Sequence, residues 1–258
     1  MPHTPARKKT ASPAASLWHW FTPTYFRAVS GRVTPIALVL LLVTLPTGLA
    51  YAFFLSPPDY LQGETVRIMY IHVPSAWLAL ALYGAIAVAS GITLTLKLPM
   101  AGHFATAASP VGACFTAIAL ISGSLWGKPT WGTYWVWDAR LTSMLVLFFF
   151  YLAHSAMTQA FKQQERGQQA ASILAIVGAL NLPIIKWSVE WWHTLHQPES
   201  ISFINPSSHI DISMLIPLGL MTVALFSYAT IVITARMKLA ILQQKWQSLL
   251  YQKTRNRS

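Results

Sequence analysis

The sequence predicts an all-α polytopic membrane protein with six transmembrane helices, and three observations support this. Of the 258 residues, 54% are hydrophobic and only 10% are charged, whereas soluble domains carry about 25% charged residues. Several uninterrupted apolar stretches have about 20 residues, enough for a helix to cross a hydrocarbon core about 30 Å thick. The basic residues are concentrated in alternate connecting segments, as in a chain that crosses the bilayer repeatedly.

The N-terminal segment, residues 1–34, is predicted to lie in the cytoplasm and at the membrane interface. Arg7, Lys8 and Lys9 are not followed by a short apolar run and a cleavage site, so we do not predict a cleaved signal peptide. From Leu17 to Phe26 the chain is rich in aromatic residues, which accumulate where a segment lies along the membrane surface.

Residues 35–235 are predicted to form one six-helix membrane domain, followed by a basic cytoplasmic tail, residues 236–258. Pro74 lacks a backbone donor, so we expect a break near the start of the second span, which then crosses the membrane from about Ser75. Pro46 and Pro183 predict kinks. The six predicted spans are Pro35–Leu55, Met69–Leu96, Phe104–Leu125, Leu141–Phe161, Ala171–Lys186 and Ile212–Ala235.

The orientation follows from the distribution of lysine and arginine. Fourteen of these residues fall on the side that holds both termini, and only Arg67, Lys128, Arg140 and Lys186 fall on the other. Because basic loops stay inside, both termini are predicted to be cytoplasmic, and residues 56–68, 126–140 and 187–211 are predicted to lie outside. The net charge of +11 is explained in this way, and nucleic acid is not an expected partner.

The predicted outer loop of residues 126–140 is unusually rich in aromatic residues. It reads W-G-K-P-T-W-G-T-Y-W-V-W-D-A-R and places Trp126, Trp131, Trp135 and Trp137 within twelve residues. An interfacial belt needs only about one or two aromatic residues at each helix end. The density therefore indicates a binding surface as well as a membrane anchor.

Gly127, Pro129 and Gly132 of this loop are expected to break any helix and to let the backbone approach a ligand closely. A flat, apolar, aromatic ligand suits the surface, because indole rings offer a large contact area at low entropic cost and their N–H groups reach polar edges. Haem is such a ligand. The alternative is an aromatic girdle at the membrane surface that binds no ligand.

Charged residues near this loop have candidate roles. The two propionates of a haem need cationic or hydrogen-bonding partners, and Arg67, Lys128 and Arg140 are the basic residues placed to serve. Asp138 fits either a local ion pair with Arg140 or a role in fixing the loop's shape, and the structural role is favoured. Glu190 is a candidate to orient a histidine through a hydrogen bond.

Histidines in two distant outer segments are candidate iron ligands, since neutral imidazole is a usual protein ligand for haem iron. His72 lies at the outer end of the second span, and His193 and His196 lie in the last outer loop. The spacing of His193 and His196 does not choose between them. The remaining histidines are assigned to solvated, packing or interface positions: His3, His19, His103, His154 and His209.

Several other chemistries have no pattern in the sequence. The single cysteine, Cys114, excludes an intrachain disulfide and a C-x-x-C pair, and no C-x-x-C-H is present for covalent haem attachment. The run from Gly123 to Lys128 is one residue too short for a phosphate loop and continues into Pro129, so ATP binding by this chain is not predicted.

Three segments resemble the haem exporter protein C family, also called cytochrome c maturation protein C, of the bacterial System I pathway. They are H-V-P-S-A-W at 72–77, G-S-L-W-G-K-P-T-W-G-T-Y-W-V-W-D-A-R-L-T-S at 123–143, and N-L-P-I-I-K-W-S-V-E-W-W-H-T-L-H-Q at 181–197. The second carries the tryptophan-rich motif, called WWD, that several haem-handling families share. The shorter length and fewer histidines favour protein C among them.

The resemblance implies a multi-pass protein of the bacterial inner membrane with a haem site on the periplasmic side. Haem b would be held there in transit, without covalent attachment, between axial ligands His72 and His196. It would be passed to the haem chaperone, cytochrome c maturation protein E, whose histidine becomes covalently attached to it. The implied partners are ABC transporter proteins A and B and the small membrane protein D. The chain would then be an assembly factor in the lipid bilayer and not a conventional enzyme.

Two other functions stay open on the sequence alone. A b-type electron-transfer subunit would also use two histidines, although such proteins usually hold haem within their spans. A small-solute transporter would need a polar path, and few ionisable residues lie within the predicted spans.

Overall fold

The computed structural model describes residues 21–161, 163–192, 194–196 and 211–255. A π-helical turn, Tyr51–Leu55, follows the first α-helix, and a 3₁₀ helix, Glu64–Ile68, precedes the second. The α-helices are α1 Pro23–Ala50, α2 Met69–Leu96, α3 Pro99–Trp131, α4 Ala139–Ala160, α5 Gln164–Gly178, α6 Asn181–Trp191 and α7 Ile212–Arg255. Among the described residues, six segments, with α5 and α6 counted as one, are long and apolar enough to cross a membrane. The predicted all-α fold with six spans is therefore confirmed.

Helix α1 begins twelve residues before the first predicted span. Thr22 is its N-cap, with a side chain that accepts a hydrogen bond from the Tyr25 backbone N–H at 3.2 Å, and Pro23 occupies the first helical position. Both residue types favour a helix start at these positions. The last part of the predicted N-terminal segment is thus the first turns of a membrane helix, while residues 1–20 lie outside the described residues.

Helix α2 has the predicted bounds, but the break expected at Pro74 is absent, so that prediction is wrong. The helix continues through Pro74, which is fully buried at its sixth position. A proline this close to a helix start removes only one hydrogen bond, and the preceding turn is already a 3₁₀ helix. His72 therefore lies on a rigid helical turn.

Helix α3 extends through the first part of the tryptophan-rich segment, against the prediction that Gly127 and Pro129 break any helix there. It ends at Trp131, where Gly132 takes a left-handed conformation with φ of 78° and donates its N–H to the Lys128 carbonyl at 3.0 Å. Glycine is the usual residue at such a helix end because it has no Cβ to clash. Only Gly132 acts as the expected terminator.

The fifth span is divided, and the division lies just before Pro183, where a kink was predicted. Pro183 has no N–H to donate to the Ala179 carbonyl, and that carbonyl instead accepts from Leu182 at 3.1 Å. Helix α7 also differs from the prediction, since it continues without interruption through residues 236–255. That part of the predicted tail is helical.

Helices α2 and α3 form the centre of the bundle, with α4 and α5 on one side and α7, backed by α1, on the other. Small residues allow this close packing: Ala79, Ala108 and Gly112 are buried between helices. Tyr151 of α4 is fully buried against Gly112 and donates its hydroxyl to the Ala79 carbonyl at 2.6 Å. The starts of α2 and α4 and the ends of α3 and α6 consequently meet at one end of the bundle.

This packing makes Gly112 a sensitive position. A Cβ at Gly112 would overlap the Tyr151 ring, so we expect Gly112→Ala to destabilise the protein by about 1–3 kcal/mol, as overpacked cores do. Thermal unfolding of the purified protein in detergent measures this as a lower midpoint. Gly91→Ala is the matched control, because nothing lies within 4 Å of its Cβ position, and it should leave the midpoint unchanged or slightly higher. Equal midpoints for both variants would contradict the packing described here.

Candidate ligand-binding site at one end of the bundle

His72 lies in the first turn of α2 and is anchored to α3. Its Nδ1 is 2.9 Å from the Ala119 carbonyl oxygen and 3.1 Å from the Ser122 hydroxyl oxygen. The Ser122 hydroxyl donates its own hydrogen to the Ile118 carbonyl at 2.6 Å. Since a carbonyl oxygen can only accept, the hydrogen of a neutral His72 belongs on Nδ1. The Nε2 lone pair then remains for a ligand.

The imidazole plane of His72 is also constrained by its neighbours. A Cβ at Gly123 would come within 2.8 Å of the ring, so only glycine leaves the space that this orientation needs. On the next turn of α3, Trp126 meets the ring edge to face, with centroids 5.7 Å apart. Trp126 is itself held by a hydrogen bond from its Nε1 to the Gln62 side-chain oxygen at 2.9 Å.

Asp138 links the start of α4 to His196. One carboxylate oxygen accepts the Leu141 backbone N–H at 2.7 Å and so caps the helix, and the other lies 3.2 Å from His196 Nδ1. The carboxylate is buried, with 9% of the residue exposed. Since a carboxylate accepts, His196 also carries its hydrogen on Nδ1 and presents Nε2. Carboxylate–histidine pairs of this kind orient metal-binding imidazoles in many proteins.

His196 is predominantly neutral at neutral pH. Burial lowers the pKa of His196 below its usual 6.5, and this effect exceeds the opposite one of the Asp138 charge and hydrogen bond, while nearby Arg140 lowers the pKa further. A neutral imidazole is the form that binds a metal. The ring also packs edge to face on Trp131, with centroids 4.8 Å apart.

The two histidines lie close enough to interact electrostatically with each other and with Arg140. Within the described part of the chain, no hydrogen bond to Nε2 of either ring is found. His72 and His196, which are 124 positions apart in the sequence, thus both present Nε2 at the same end of the bundle. His193 lies outside the described residues, so the structure gives a place only to His196.

The four predicted tryptophans fall into two pairs. Trp126 and Trp131, on α3, each contact one of the histidines. Trp135 and Trp137, in the turn before α4, contact each other with centroids 5.4 Å apart and line a shallow, open apolar depression with Leu120, Ile121, Ser124 and Leu145. The Trp135 indole N–H is buried and has no hydrogen-bond partner among the described residues. A buried donor without a partner suits a site that is completed by a bound molecule.

The three predicted cations differ in what they contact. Arg67 contacts the Glu64 carboxylate and the Ala52 carbonyl. Lys128 donates to the Gly132 carbonyl at 2.9 Å and lies over the Tyr134 ring, 5.2 Å from its centroid. Arg140 donates to the Ser188 hydroxyl at 3.3 Å and the Lys186 carbonyl at 3.4 Å. Arg140 is the cation that also acts electrostatically on both histidines.

Some features of the site were not predicted from the sequence. The histidine partner is Asp138, whereas Glu190, the residue predicted for that role, is exposed on α6. Nothing in the sequence indicated that Gln62 would bind Trp126 or that the Ala119 carbonyl would bind His72, because a single glutamine and a backbone group belong to no recognisable motif. Trp187, Trp191 and Trp192 form a further exposed aromatic row, with successive centroids 5.7 and 5.8 Å apart. The spacing of Trp187 and Trp191, four residues apart on α6, could have indicated part of that row.

Comparisons with known proteins give a consistent result. The family model described as Heme exporter protein C matches residues 16–252. Heme exporter protein C of Bradyrhizobium diazoefficiens is 48% identical over 227 residues, which cover 88% of this chain and 86% of that protein. The protein of the same name from Haemophilus influenzae is 42% identical over 222 residues, 84% of this chain and 88% of the relative. A ccmC-like mitochondrial protein of cytochrome c biosynthesis from Marchantia polymorpha is 44% identical over 204 residues, 79% of this chain and 86% of the relative. The chain therefore belongs to the haem exporter protein C family.

Proposed function

We propose that this chain binds haem at the outer end of its helix bundle, with His72 and His196 as the two axial ligands of the iron. The observation that carries the proposal is that both imidazoles have the same tautomer. In each ring, Nδ1 lies next to a hydrogen-bond acceptor and Nε2 is available to bind iron. Family membership supports haem as the ligand. Haem is the cargo of the site in this proposal, bound without a covalent bond as haem b.

The surrounding residues have matching roles. The indole faces of Trp126 and Trp131 pack against the macrocycle, and the unpaired N–H of Trp135 has an acceptor in a propionate or in bound water. Arg140 is the best placed propionate partner, because it lies near both histidines. Arg67 and Lys128 are weaker candidates, because of the three cations only Arg140 acts electrostatically on both histidines. Gly127 is buried next to Trp131 and sets the position of that ring.

We further propose that haem is delivered from here to the haem chaperone, cytochrome c maturation protein E, for the biogenesis of c-type cytochromes. The chain promotes covalent attachment of haem to a histidine of that chaperone, in a complex with ABC transporter proteins A and B and the small protein D. Membership of the haem exporter protein C family supports this delivery role. The exposed Trp137, Trp187 and Trp191 provide an aromatic surface from which a chaperone can take over the haem. We place the complex in a bacterial inner membrane on the basis of family membership, and we place the haem on the periplasmic side on the distribution of basic residues.

The ligand assignment predicts a spectral change in two single variants. In His72→Ala or His196→Ala, the iron keeps one protein imidazole, so we expect the absorption spectrum to change from low-spin six-coordinate to high-spin five-coordinate and haem content to fall. Optical and electron paramagnetic resonance spectra of the purified protein measure this. The control is His209→Ala, a predicted outer residue without an assigned ligand role.

Wild-type spectra and haem content in both ligand variants would reject the assignment. Addition of free imidazole should restore the low-spin spectrum of either variant, which separates a lost ligand from a misfolded protein. Rapid reversible reduction of the bound haem by quinol would instead favour an electron-transfer subunit.

A second prediction concerns Asp138. In Asp138→Asn the side-chain oxygen still caps α4, since asparagine is as good a cap as aspartate, but the amide NH₂ group then faces His196 Nδ1. A donor at this position favours the tautomer with hydrogen on Nε2, and that nitrogen then has no lone pair for iron. We therefore expect haem affinity to fall about 10–100-fold with little change in thermal stability.

Haem titration and thermal unfolding of the same preparations test this. Asp138→Ala is the comparison, because it also removes the cap and should lower stability by about 1 kcal/mol. Unchanged haem affinity in Asp138→Asn would show that the carboxylate does not support His196 as a ligand.

A further inference from the structure

Helix α7 is much longer than the membrane requires. Its 44 residues correspond to about 66 Å of helix, against a hydrocarbon core about 30 Å thick. Residues 212–235 have no charged side chain, and Arg236 is the first. About 30 Å of helix, residues 236–255, therefore continues beyond the apolar core on the side that holds both termini.

One side of this extension packs on the bundle. Arg236 donates to the Ala107 carbonyl at 3.1 Å, and His103 Nε2 lies 3.2 Å from the Gln244 side-chain oxygen. Met237 is buried, and Ile241 packs against the core. These contacts fix the rotation of α7 about its axis.

The opposite side carries an apolar stripe that no described residue covers. The stripe consists of Leu239, Leu242, Trp246, Leu249 and Leu250. Spacings of three or four residues, from 239 to 242, 242 to 246, and 246 to both 249 and 250, place its members along one face, turned about 150° from Met237 and Ile241. Leu242 and Trp246 are each 63% exposed, and such a run of large apolar residues indicates an interaction surface.

The bilayer does not cover the half of this stripe that is nearer the end of α7. Trp246 and Leu249 lie about 15 and 20 Å beyond Arg236 along the helix, whereas the headgroup layer is about 5–8 Å thick on each side. Residues 220–255 include no glycine or proline that would let the helix turn back to the membrane. The half of the stripe nearer the end of α7, from Trp246 onwards, therefore lies in the aqueous phase.

Charge indicates what does cover the stripe. Residues 236–255 carry five basic side chains and no acidic one, and Lys238 and Lys245 border the stripe on one edge. A second copy of α7 would bring like charges together, which is unfavourable at a helix interface. The N-terminal residues 1–20 also have no acidic side chain. The stripe needs an apolar partner, and its basic border needs an acidic one. A helix with an apolar ridge and acidic flanks meets both requirements.

We propose that the stripe on α7 is the docking surface for an acidic amphipathic helix of another protein on the side of the membrane that holds both termini. The leucines and Trp246 pack against the apolar ridge of that helix, and the lysines pair with its carboxylates. This interface is at the opposite end of the bundle from the histidines. It does not depend on the function proposed for them.

Photo-crosslinking in cells tests the proposal with the full chain. A photoreactive phenylalanine analogue is placed at position 242 or 246, and at Ser248 as the control, because Ser248 is exposed but faces away from the stripe. We expect adducts from 242 and 246 but not from 248, with the crosslinked peptide, mapped by mass spectrometry, lying in a helix of net negative charge. Adducts to lipid, to a second copy, to residues 1–20 or to a basic segment, or no adduct at either position, would overturn the proposal.

Charge variants provide the second measurement. Leu242→Glu should reduce the adduct from position 246 at least about tenfold, as the loss of a central anchor does, while Ser248→Glu should leave it unchanged. Both positions are exposed, so the thermal midpoint of the isolated protein should not move in either variant. Equal adduct yields in the two variants would mean that the stripe is not the contact surface.

Discussion

The candidate site depends on the placement of one hydrogen atom in each of two imidazoles. The Ala119 carbonyl and the Asp138 carboxylate both accept from Nδ1, and this determines that Nε2 is the nitrogen offered to a ligand. Several neighbouring residues support these two contacts. Gly123 leaves room for one ring, Trp131 packs against the other, and the caps of α3 and α4 set the height of the turn between them.

The two groups that accept these hydrogen bonds differ in charge, and this difference affects the basicity of the two imidazoles. Asp138 is an anionic acceptor and makes His196 the more electron-rich imidazole, whereas the neutral carbonyl next to His72 has a smaller effect. Asp138 also caps α4, so one side chain stabilises the local fold and orients a ligand. In the proposed haem site, the two iron ligands are therefore unequal.

The sequence was sufficient for the spans, because they follow from a strong constraint, whereas the choice of His196 over His193 came only from the family resemblance and stays a prediction. The thickness of the bilayer sets the length of an apolar stretch, and α2 has the predicted bounds, Met69–Leu96. Helix ends were less predictable, since they depend on local capping by Thr22 and Gly132. The role of Asp138 was only partly foreseen, because its contact with His196 joins residues 58 positions apart and has no local pattern. The anchoring of His72 to a backbone carbonyl has no sequence signal at all.

Helix α3 runs unbroken from Pro99 to Trp131 and connects the two ends of the molecule. Near its start it contacts α7 through His103, and near its end it carries Trp126 and Trp131. Its 33 residues form a rod about 50 Å long, so a tilt of about 1° at one end displaces the other by somewhat less than 1 Å. A shift of α3 at the His103 contact would therefore move Trp126 and Trp131, which pack on the two histidines.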